Sequence, residues 1–275
     1  MIKIKNISII MLAILLAFTG CKKHKAGGNI PEIAVTNSYI YSAVRDLCSD
    51  VNVICLMPPG MCPGHFDISP ADVEQLRKCK LLLRFDFQGG IDGQMQRFKE
   101  SGLQIGEIAA KPGMCIPDSY MATCEDVFRI LYKHCPQKSD ALQVRIKQIN
   151  LRMTALTQQM RKSINVAGLA DANVVCSVHQ AQFAKSLGFN VVSTFLGSDM
   201  ATPANLGQCL VAAEGKKILF VIANKQEGTE LAKALARRLD AKMVVFNNFP
   251  DFTSGDESFD AMLQENIYQL TGGNK

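Results

Sequence analysis

The chain alternates short β-branched runs with helical patterns, and this alternation occurs twice. The strand-like runs are residues 32–35, 51–56, 80–84 and 103–108 in the first half, and 173–178, 190–193, 217–222 and 242–246 in the second. Such alternation is typical of parallel sheets whose two faces are covered by helices. The sequence therefore predicts an α/β protein with two Rossmann-like lobes, each a parallel sheet flanked by helices.

One long helix is predicted between the two halves. Its apolar residues recur every three or four positions, and residues 137–166 contain neither Gly nor Pro; the stripe is Leu142, Ile146, Ile149, Met153, Leu156, Met160 and Ile164. A helix of about 28 residues is about 42 Å long, enough to run along a two-lobed molecule. The alternative, a coiled-coil dimer arm, is less favoured because the stripe covers few heptads. We expect a monomer with lobes at 31–137 and 168–275, joined by a connecting helix at 138–167.

The N-terminus has the pattern of a targeting segment. Lys3 and Lys5 precede an apolar run over residues 9–18, which is too short to span a membrane and resembles a signal-peptide core. Residues 16–21, Leu-Ala-Phe-Thr-Gly-Cys, resemble a bacterial lipobox, in which Cys21 would be lipidated. We predict a signal peptide at 1–20, a tether at 21–30, and an extracytoplasmic protein with a lipid anchor in the membrane, in the periplasm or at the cell surface. The alternative is an ordinary signal peptide that happens to precede a cysteine.

Charge and cysteine content narrow the function classes. The net charge of +5 comes from five lysines in residues 1–28, which contain no acid, so the remainder is neutral. A neutral body without a basic stretch argues against a nucleic-acid partner. Of the ten cysteines, nine remain after Cys21, and an odd number cannot all pair within one chain. The sequence does not indicate which of these cysteines form disulfides.

Polar residues follow four of the predicted strands. Ligands of open α/β sheets bind beyond the carboxyl ends of the strands, so these residues would converge if the lobes face each other. The candidates are Cys62 and His65 after the second strand, Cys115 after the fourth, His179 at the end of the fifth, and Asn247 and Asn248 after the eighth. Imidazole, thiol and amide oxygen together would form a transition-metal site. The alternatives are a core histidine for His179 and buried thiols for the cysteines.

Three stretches carry a family resemblance. They are Gly-His-Phe-Asp-Ile-Ser-Pro-Ala-Asp-Val at 64–73, Val-His-Gln-Ala-Gln-Phe-Ala at 178–184 followed by Leu-Gly, and Ser-Phe-Asp-Ala-Met-Leu-Gln-Glu-Asn at 258–266. From about residue 31 to the C-terminus, the chain resembles the substrate-binding lipoproteins of zinc- and manganese-type ABC importers. The resemblance implies that His65 and His179 are metal ligands.

The chain departs from this family's pattern at two positions. Cys115 stands nearest to where the family has a second histidine, and Asn247 and Asn248 stand where it has a carboxylate after the penultimate strand. A Cys115 thiolate would restore the lost negative charge. Two imidazoles and a thiolate favour Zn²⁺; Mn²⁺, Fe²⁺ and Cu⁺ are the alternatives.

The resemblance implies a binding protein that captures a divalent metal ion between its lobes and delivers it to an ABC transporter permease, without catalysis. One alternative is a receptor for a metal chelate or other small ligand, with Arg84, Phe85 and Phe87 as candidate cleft walls. The other is a Cys-dependent metalloenzyme, although the sequence shows no Cys-x-x-Cys pair.

Overall fold

The computed structural model describes residues 33–57, 61, 68–93, 95, 102–197, 199–251 and 258–272. The predictions for the signal peptide, Cys21, the tether, Cys62 and His65 lie outside these residues. Within them, no helix combines the length and apolarity needed to cross a bilayer. Six buried cysteines of the described ranges carry free thiols, namely Cys48, Cys79, Cys115, Cys124, Cys176 and Cys209.

The first sheet has four parallel strands in the order β2-β1-β3-β4. The strands are β1 Ile33–Val35, β2 Val53–Cys55, β3 Leu81–Phe85 and β4 Gln104–Ile108. The helices of this half whose bounds the structure describes are α1 Ser38–Leu47, α2 Pro70–Leu76 and α3 Pro117–His134. Helix α1 begins sharply because the Asn37 side chain accepts hydrogen bonds from the backbone N–H groups of Tyr39 and Ile40.

The second sheet repeats this arrangement, with four parallel strands in the order β6-β5-β7-β8. The strands are β5 Asn173–Ser177, β6 Asn190–Phe195, β7 Phe220–Asn224 and β8 Lys242–Phe246. The connecting helix is α4 Ser139–Val166, and the helices that follow it are α5 Ala181–Ser186, α6 Pro203–Ala213, α7 Glu230–Arg238 and α8 Phe259–Thr271. The α/β fold with two parallel sheets linked by one long helix is confirmed.

Helix α4 buries the stripe that the sequence indicates. Its buried residues are Leu142, Ile149, Met153, Leu156, Met160 and Ile164, and Ile146 packs half-buried beside them. One continuous apolar cluster includes this stripe, one face of each sheet, and residues of α1, α3 and α8. The two lobes therefore share a core along the connecting helix.

Aromatic rings join the two halves at the seam between the sheets. Tyr120 of α3 stacks on Phe259 of α8 with ring centroids 4.2 Å apart. Tyr39 of α1 makes edge contacts with Phe259 at 6.0 Å and with Phe249, which follows β8, at 6.3 Å. Offset and edge-to-face aromatic pairs add to the stability gained by burying their area. This packing holds the carboxyl ends of the two sheets close together.

Two of the predicted strand boundaries that differ from the structure affect the candidate site. The fifth strand ends at Ser177, and a 3₁₀ turn at Val178–Gln180 follows it, so His179 lies in the turn and not at the strand end. The seventh strand is Phe220–Asn224, later than the predicted 217–222. The last strand of the described chain is β8, so Asn247 and Asn248 do not follow the penultimate strand; that strand is β7.

Candidate metal centre

A cavity of about 470 Å³ lies at the seam of the two sheets. From the first half it is lined by the loop after β4 and by Phe87; the loop residues are Ala110, Lys111, Pro112, Gly113 and Met114. From the second half it is lined by residues that follow β5, β7 and β8, namely Val178, His179, Gln182, Asn224, Gln226, Glu227, Asn248 and Phe249. Binding sites of parallel sheets lie at the carboxyl ends of their strands, which is where this cavity lies.

His179 reaches the cavity from the 3₁₀ turn after β5. The backbone N–H of His179 donates to the Ser177 hydroxyl at 3.2 Å, which fixes the start of the turn. The imidazole is 62% exposed. A core histidine, the alternative interpretation of this residue, is therefore wrong, and the ring is available to a ligand.

Glu227 is a site residue that the sequence reasoning missed. It ends the 3₁₀ turn Lys225–Glu227 after β7, and its Oε1 lies 3.4 Å from Nε2 of His179. Its other carboxylate oxygen accepts a hydrogen bond from the Ser177 hydroxyl. The predicted seventh strand ends at residue 222, two residues before the strand ends in the structure. The sequence does contain a signal for this residue, because Glu227 is an acidic residue only three positions after the observed end of β7.

Cys115 lies behind the cavity, fully buried between the two halves. Its Sγ is 3.1 Å from both the Asn247 carbonyl oxygen and Asn248 Oδ1, and Asn266 Nδ2 donates to it at 3.4 Å. Burial raises the pKa of this thiol well above its usual range. A buried thiol among amide groups stays protonated, so it becomes a ligand only where a metal displaces its proton.

Asn247 and Asn248 are close to Cys115, but their side-chain oxygens are already engaged. Oδ1 of Asn248 accepts from Gln180 Nε2 at 2.9 Å, and Oδ1 of Asn247 accepts from Gln226 Nε2 at 2.6 Å. Asn248 lines the cavity, whereas Asn247 does not belong to its wall. The structure brings Cys115, Asn247 and Asn248 together as one polar contact between the lobes, and it places His179 and Glu227 together in the cavity.

The described residues supply two strong donors to the cavity, an imidazole and a carboxylate. No group of three or more His, Cys, Asp or Glu side chains arranged to hold a metal ion occurs among the residues that the structure covers. Arg84, a candidate cleft wall, is instead paired with Asp92 at 2.7 Å and Glu107 at 2.9 Å. Phe87 does line the cavity, with its ring stacked on Phe85 at 5.4 Å.

Two like parallel sheets, one connecting helix and a polar cavity at their seam define a two-lobed solute-binding protein. The family "ZnuA: Zinc-uptake complex component A periplasmic" matches residues 115–273, more than half of the chain. The chain belongs to this family of periplasmic metal-binding transport proteins.

Several solved structures share this chain's fold although their sequences are only 13–15% identical to it. The Mn-bound periplasmic metal binding protein from Candidatus Liberibacter asiaticus has a TM-score of 0.75 at 13% identity, over 87% of this chain and 98% of that one. The periplasmic zinc binding protein TroA from Treponema pallidum has a TM-score of 0.71 at 15% identity, over 88% and 98%. A structure of ZnuA has a TM-score of 0.70 at 13% identity, over 89% and 99%. No curated protein matches by sequence.

Proposed function

We propose that this protein captures a divalent metal ion at the seam of its two lobes and delivers it to an ABC import permease. The observation that carries the proposal is the exposed imidazole of His179 in a cavity bounded by strand ends from both halves. Family membership supports it, because the family consists of periplasmic components of metal uptake. The proposed organisation is a signal peptide at 1–20, lipidation at Cys21, and a monomer with lobes at 31–137 and 168–275 held outside the cytoplasm.

We propose zinc as the preferred ion, with Mn²⁺, Fe²⁺ and Cu⁺ as alternatives. Zinc accepts mixed nitrogen, sulfur and oxygen donors in tetrahedral geometry, and His65 and His179 are the proposed imidazole ligands. Cys115, Cys62, Asn247 and Asn248 remain further candidates. Cys115 can bind only after the metal displaces the proton of its buried thiol. The similar structures include a periplasmic zinc binding protein and Mn-bound and Cd-bound forms of one periplasmic metal binding protein, so the fold alone does not select the metal.

Release to the permease involves the loops rather than a wide opening of the lobes. Helix α4 packs in the core shared by both halves, and Tyr120 and Phe259 stack across the seam. Separating the lobes would expose these rings, whereas rearranging the turns that carry His179 and Glu227 would not. Small loop movements therefore provide the lower-cost route for entry and exit of the ion.

Titration calorimetry of the chain with Zn²⁺ and Mn²⁺, under a competing chelator, tests the proposal. We expect tight binding of one zinc ion, and a loss of at least about 100-fold in affinity for His179→Ala, since removing a ligand costs more than removing its support. The matched control is His134→Ala, at the end of α3 and outside the cavity wall. A wild-type chain that binds neither ion, or equal affinities for wild type and His179→Ala, would contradict the proposal.

A receptor for a metal chelate is the second candidate, and the cavity itself favours it. A volume of about 470 Å³ is in the range of small-molecule sites, and the half-exposed Phe87 gives it an aromatic wall. Calorimetry with a zinc chelate such as zinc–histidine separates the two functions. Tighter binding of the chelate than of the free ion would favour this candidate.

A further inference from the structure

Two buried amide side chains, those of Asn224 and Asn248, form part of the cavity wall. Asn224 ends β7 and Asn248 follows β8, and both line the cavity although they are only 4% and 5% exposed. Gln180 is fully buried outside the cavity wall and donates from Nε2 to Oδ1 of Asn224 at 3.2 Å and to Oδ1 of Asn248 at 2.9 Å. Both amide oxygens therefore bond to a residue that is not part of the cavity wall.

The nitrogen of each amide is the atom that remains for the cavity. Sγ of Cys115 lies 3.1 Å from Asn248 Oδ1, so that oxygen has two partners outside the cavity wall. Among the residues that the structure describes, Nδ2 of Asn224 and Nδ2 of Asn248 donate to no protein acceptor. A buried amide N–H group costs free energy unless an acceptor reaches it. The two side chains therefore offer hydrogen-bond donors to whatever occupies the cavity.

Lys111 adds a positive charge to these donors from the other half of the molecule. It belongs to the loop after β4 and is a half-buried residue of the cavity wall. The ion pairs that lysines form in the described part of the chain involve Lys138 and Lys225, so the ammonium group of Lys111 has no carboxylate partner there. Ammonium and amide N–H groups are donors without an acceptor site, and they bind carboxylates and other oxyanions.

The charge balance of the cavity favours the same kind of ligand. The charged side chains of the described wall are those of Lys111 and Glu227, which cancel, and an imidazole that binds a metal is neutral. A divalent ion would therefore bring two positive charges to a wall without net negative charge, and an uncompensated charge is costly in a partly closed cavity. The volume of about 470 Å³ leaves room for a small anion beside the ion.

We propose that the metal ion is bound together with a small carboxylate, which accepts hydrogen bonds from Nδ2 of Asn224 and of Asn248 and balances the charge of the ion. This inference rests on the proposed function and names the form in which the ion is bound. Asn248 then contacts the carboxylate and not the ion, and Lys111 stabilises the carboxylate by its charge. The carboxylate enters either as a free anion that joins the ion or as part of a chelator that carries it.

Calorimetric titration of the full chain with Zn²⁺, in sodium acetate and in sodium chloride of equal pH and ionic strength, tests this proposal. A carboxylate that binds together with the ion raises the zinc affinity by linkage, and we expect at least about 10-fold tighter binding in acetate. Acetate also competes for zinc in solution, so a site for the ion alone would bind zinc no more tightly in acetate than in chloride.

A parallel titration with histidine in place of acetate distinguishes the two sources of the carboxylate. A gain in zinc affinity with acetate means that a free anion is sufficient. A gain with histidine alone means that the carboxylate belongs to the chelator that carries the ion. Both results support the proposed site.

Three variants locate the carboxylate in the cavity. Asn248→Asp keeps an oxygen for Gln180 but replaces the donor by an anionic oxygen, so its zinc affinities with and without the added carboxylate should agree within about 3-fold. This variant should bind zinc in chloride at least as tightly as wild type, because the chain then supplies the anion, whereas mere damage to the wall would weaken binding. Lys111→Gln should reduce the gain by at least about 3-fold, and it decides the matter if Asn248→Asp does not fold. The control Asn150→Asp, exposed on α4 and outside the cavity wall, should keep the full gain.

The outcomes separate the inference from the proposed function. If the wild-type chain binds zinc through His179 but gains no affinity from acetate or from histidine, the inference is wrong and the proposed function stands. A gain that persists undiminished in both Asn248→Asp and Lys111→Gln would also overturn the inference, because the carboxylate would then bind elsewhere. A wild-type chain that binds zinc under none of these conditions overturns both.

Discussion

Arg152 of the connecting helix joins the two halves of the molecule by charge. Its guanidinium contacts the carboxylate of Asp46 on α1 through two nitrogens, and its Nε lies 3.3 Å from Asp260 Oδ2 on α8. The Tyr120 hydroxyl donates to Asp46 at 2.7 Å. Burial alone would lower the pKa of Arg152, but the carboxylates of Asp46 and Asp260 raise it above its usual value. The guanidinium therefore stays charged at neutral pH.

Replacing Arg152 by Met should destabilise the protein by about 2 kcal/mol. Breaking a fully buried pair costs about 3–5 kcal/mol, whereas an exposed pair is worth about 0.2–1 kcal/mol. The side chains of Arg152, Asp46 and Asp260 are 36%, 20% and 25% exposed, which places this cluster between those limits. Two carboxylates left without their cation make up most of the cost. For a chain of this size the change corresponds to a decrease of about 4–8 °C in melting temperature.

Differential scanning calorimetry of Arg152→Met measures this change, with Arg145→Met on the exposed face of the same helix as the control. Adding Asp260→Asn to Arg152→Met should recover about 1 kcal/mol, because it removes one of the two negative charges that the guanidinium balances. If Arg152→Met melts within about 1 °C of Arg145→Met, a difference well under 1 kcal/mol, the argument that this cluster ties the lobes together is refuted.

Two further predictions concern the seam. Gly113 has φ +72°, and a Cβ there would lie 2.5 Å from Ile116 Cδ1, so Gly113→Ala should lower the free energy of unfolding, measured in urea, by about 1–3 kcal/mol. The control Gly207→Ala adds a Cβ in open space on helix α6 and should raise it by about 0.5–1 kcal/mol. Similar effects of the two substitutions would contradict a strained loop at Gly113. Burial raises the pKa of Cys176 to about 12 and also raises that of Cys115, so the unfolded chain loses thiol protons at a lower pH than the folded chain. The free energy of unfolding should therefore decrease as pH rises above about 8.5. In Cys115→Ser this decrease should be smaller by about 1.4 kcal/mol per pH unit. Identical slopes in the two proteins would refute a buried neutral thiol at Cys115.

The apolar periodicity of the sequence predicted the helices and strands well. The residues at the strand ends predicted the exact strand boundaries less well. The stripe from Leu142 to Ile164 identified α4 because a helix that packs along one face must repeat its apolar residues at that spacing. The sequence predicts the seventh strand at 217–222 because apolar residues begin there, whereas pairing with β8 extends the strand to Asn224. Because the predicted strand ends two residues early, the sequence analysis does not include Glu227 among the candidate site residues.

His179 is a second residue whose position along the chain was predicted but whose local conformation was not. Its place after a buried strand was readable, and this indicated a cavity residue or a core residue with equal force. The 3₁₀ turn that follows Ser177 exposes the imidazole, and this turn depends on a hydrogen bond to the Ser177 hydroxyl. This bond is local, since it joins residues two positions apart as Ser side chains commonly do in turns, but the apolar periodicity that places the strand does not show it.

The order of residues by itself determined the two α/β halves, the connecting helix and the family, since apolar periodicity and motif spacing are properties of neighbours along the chain. Only the tertiary structure decided which polar groups meet at the seam. Cys115 and Asn248 are 133 residues apart and in contact, and His179 and Glu227 belong to different strand ends of one sheet. Contacts of that kind depend on strand order and on packing across the shared core, which the spacing of residues along the chain does not encode.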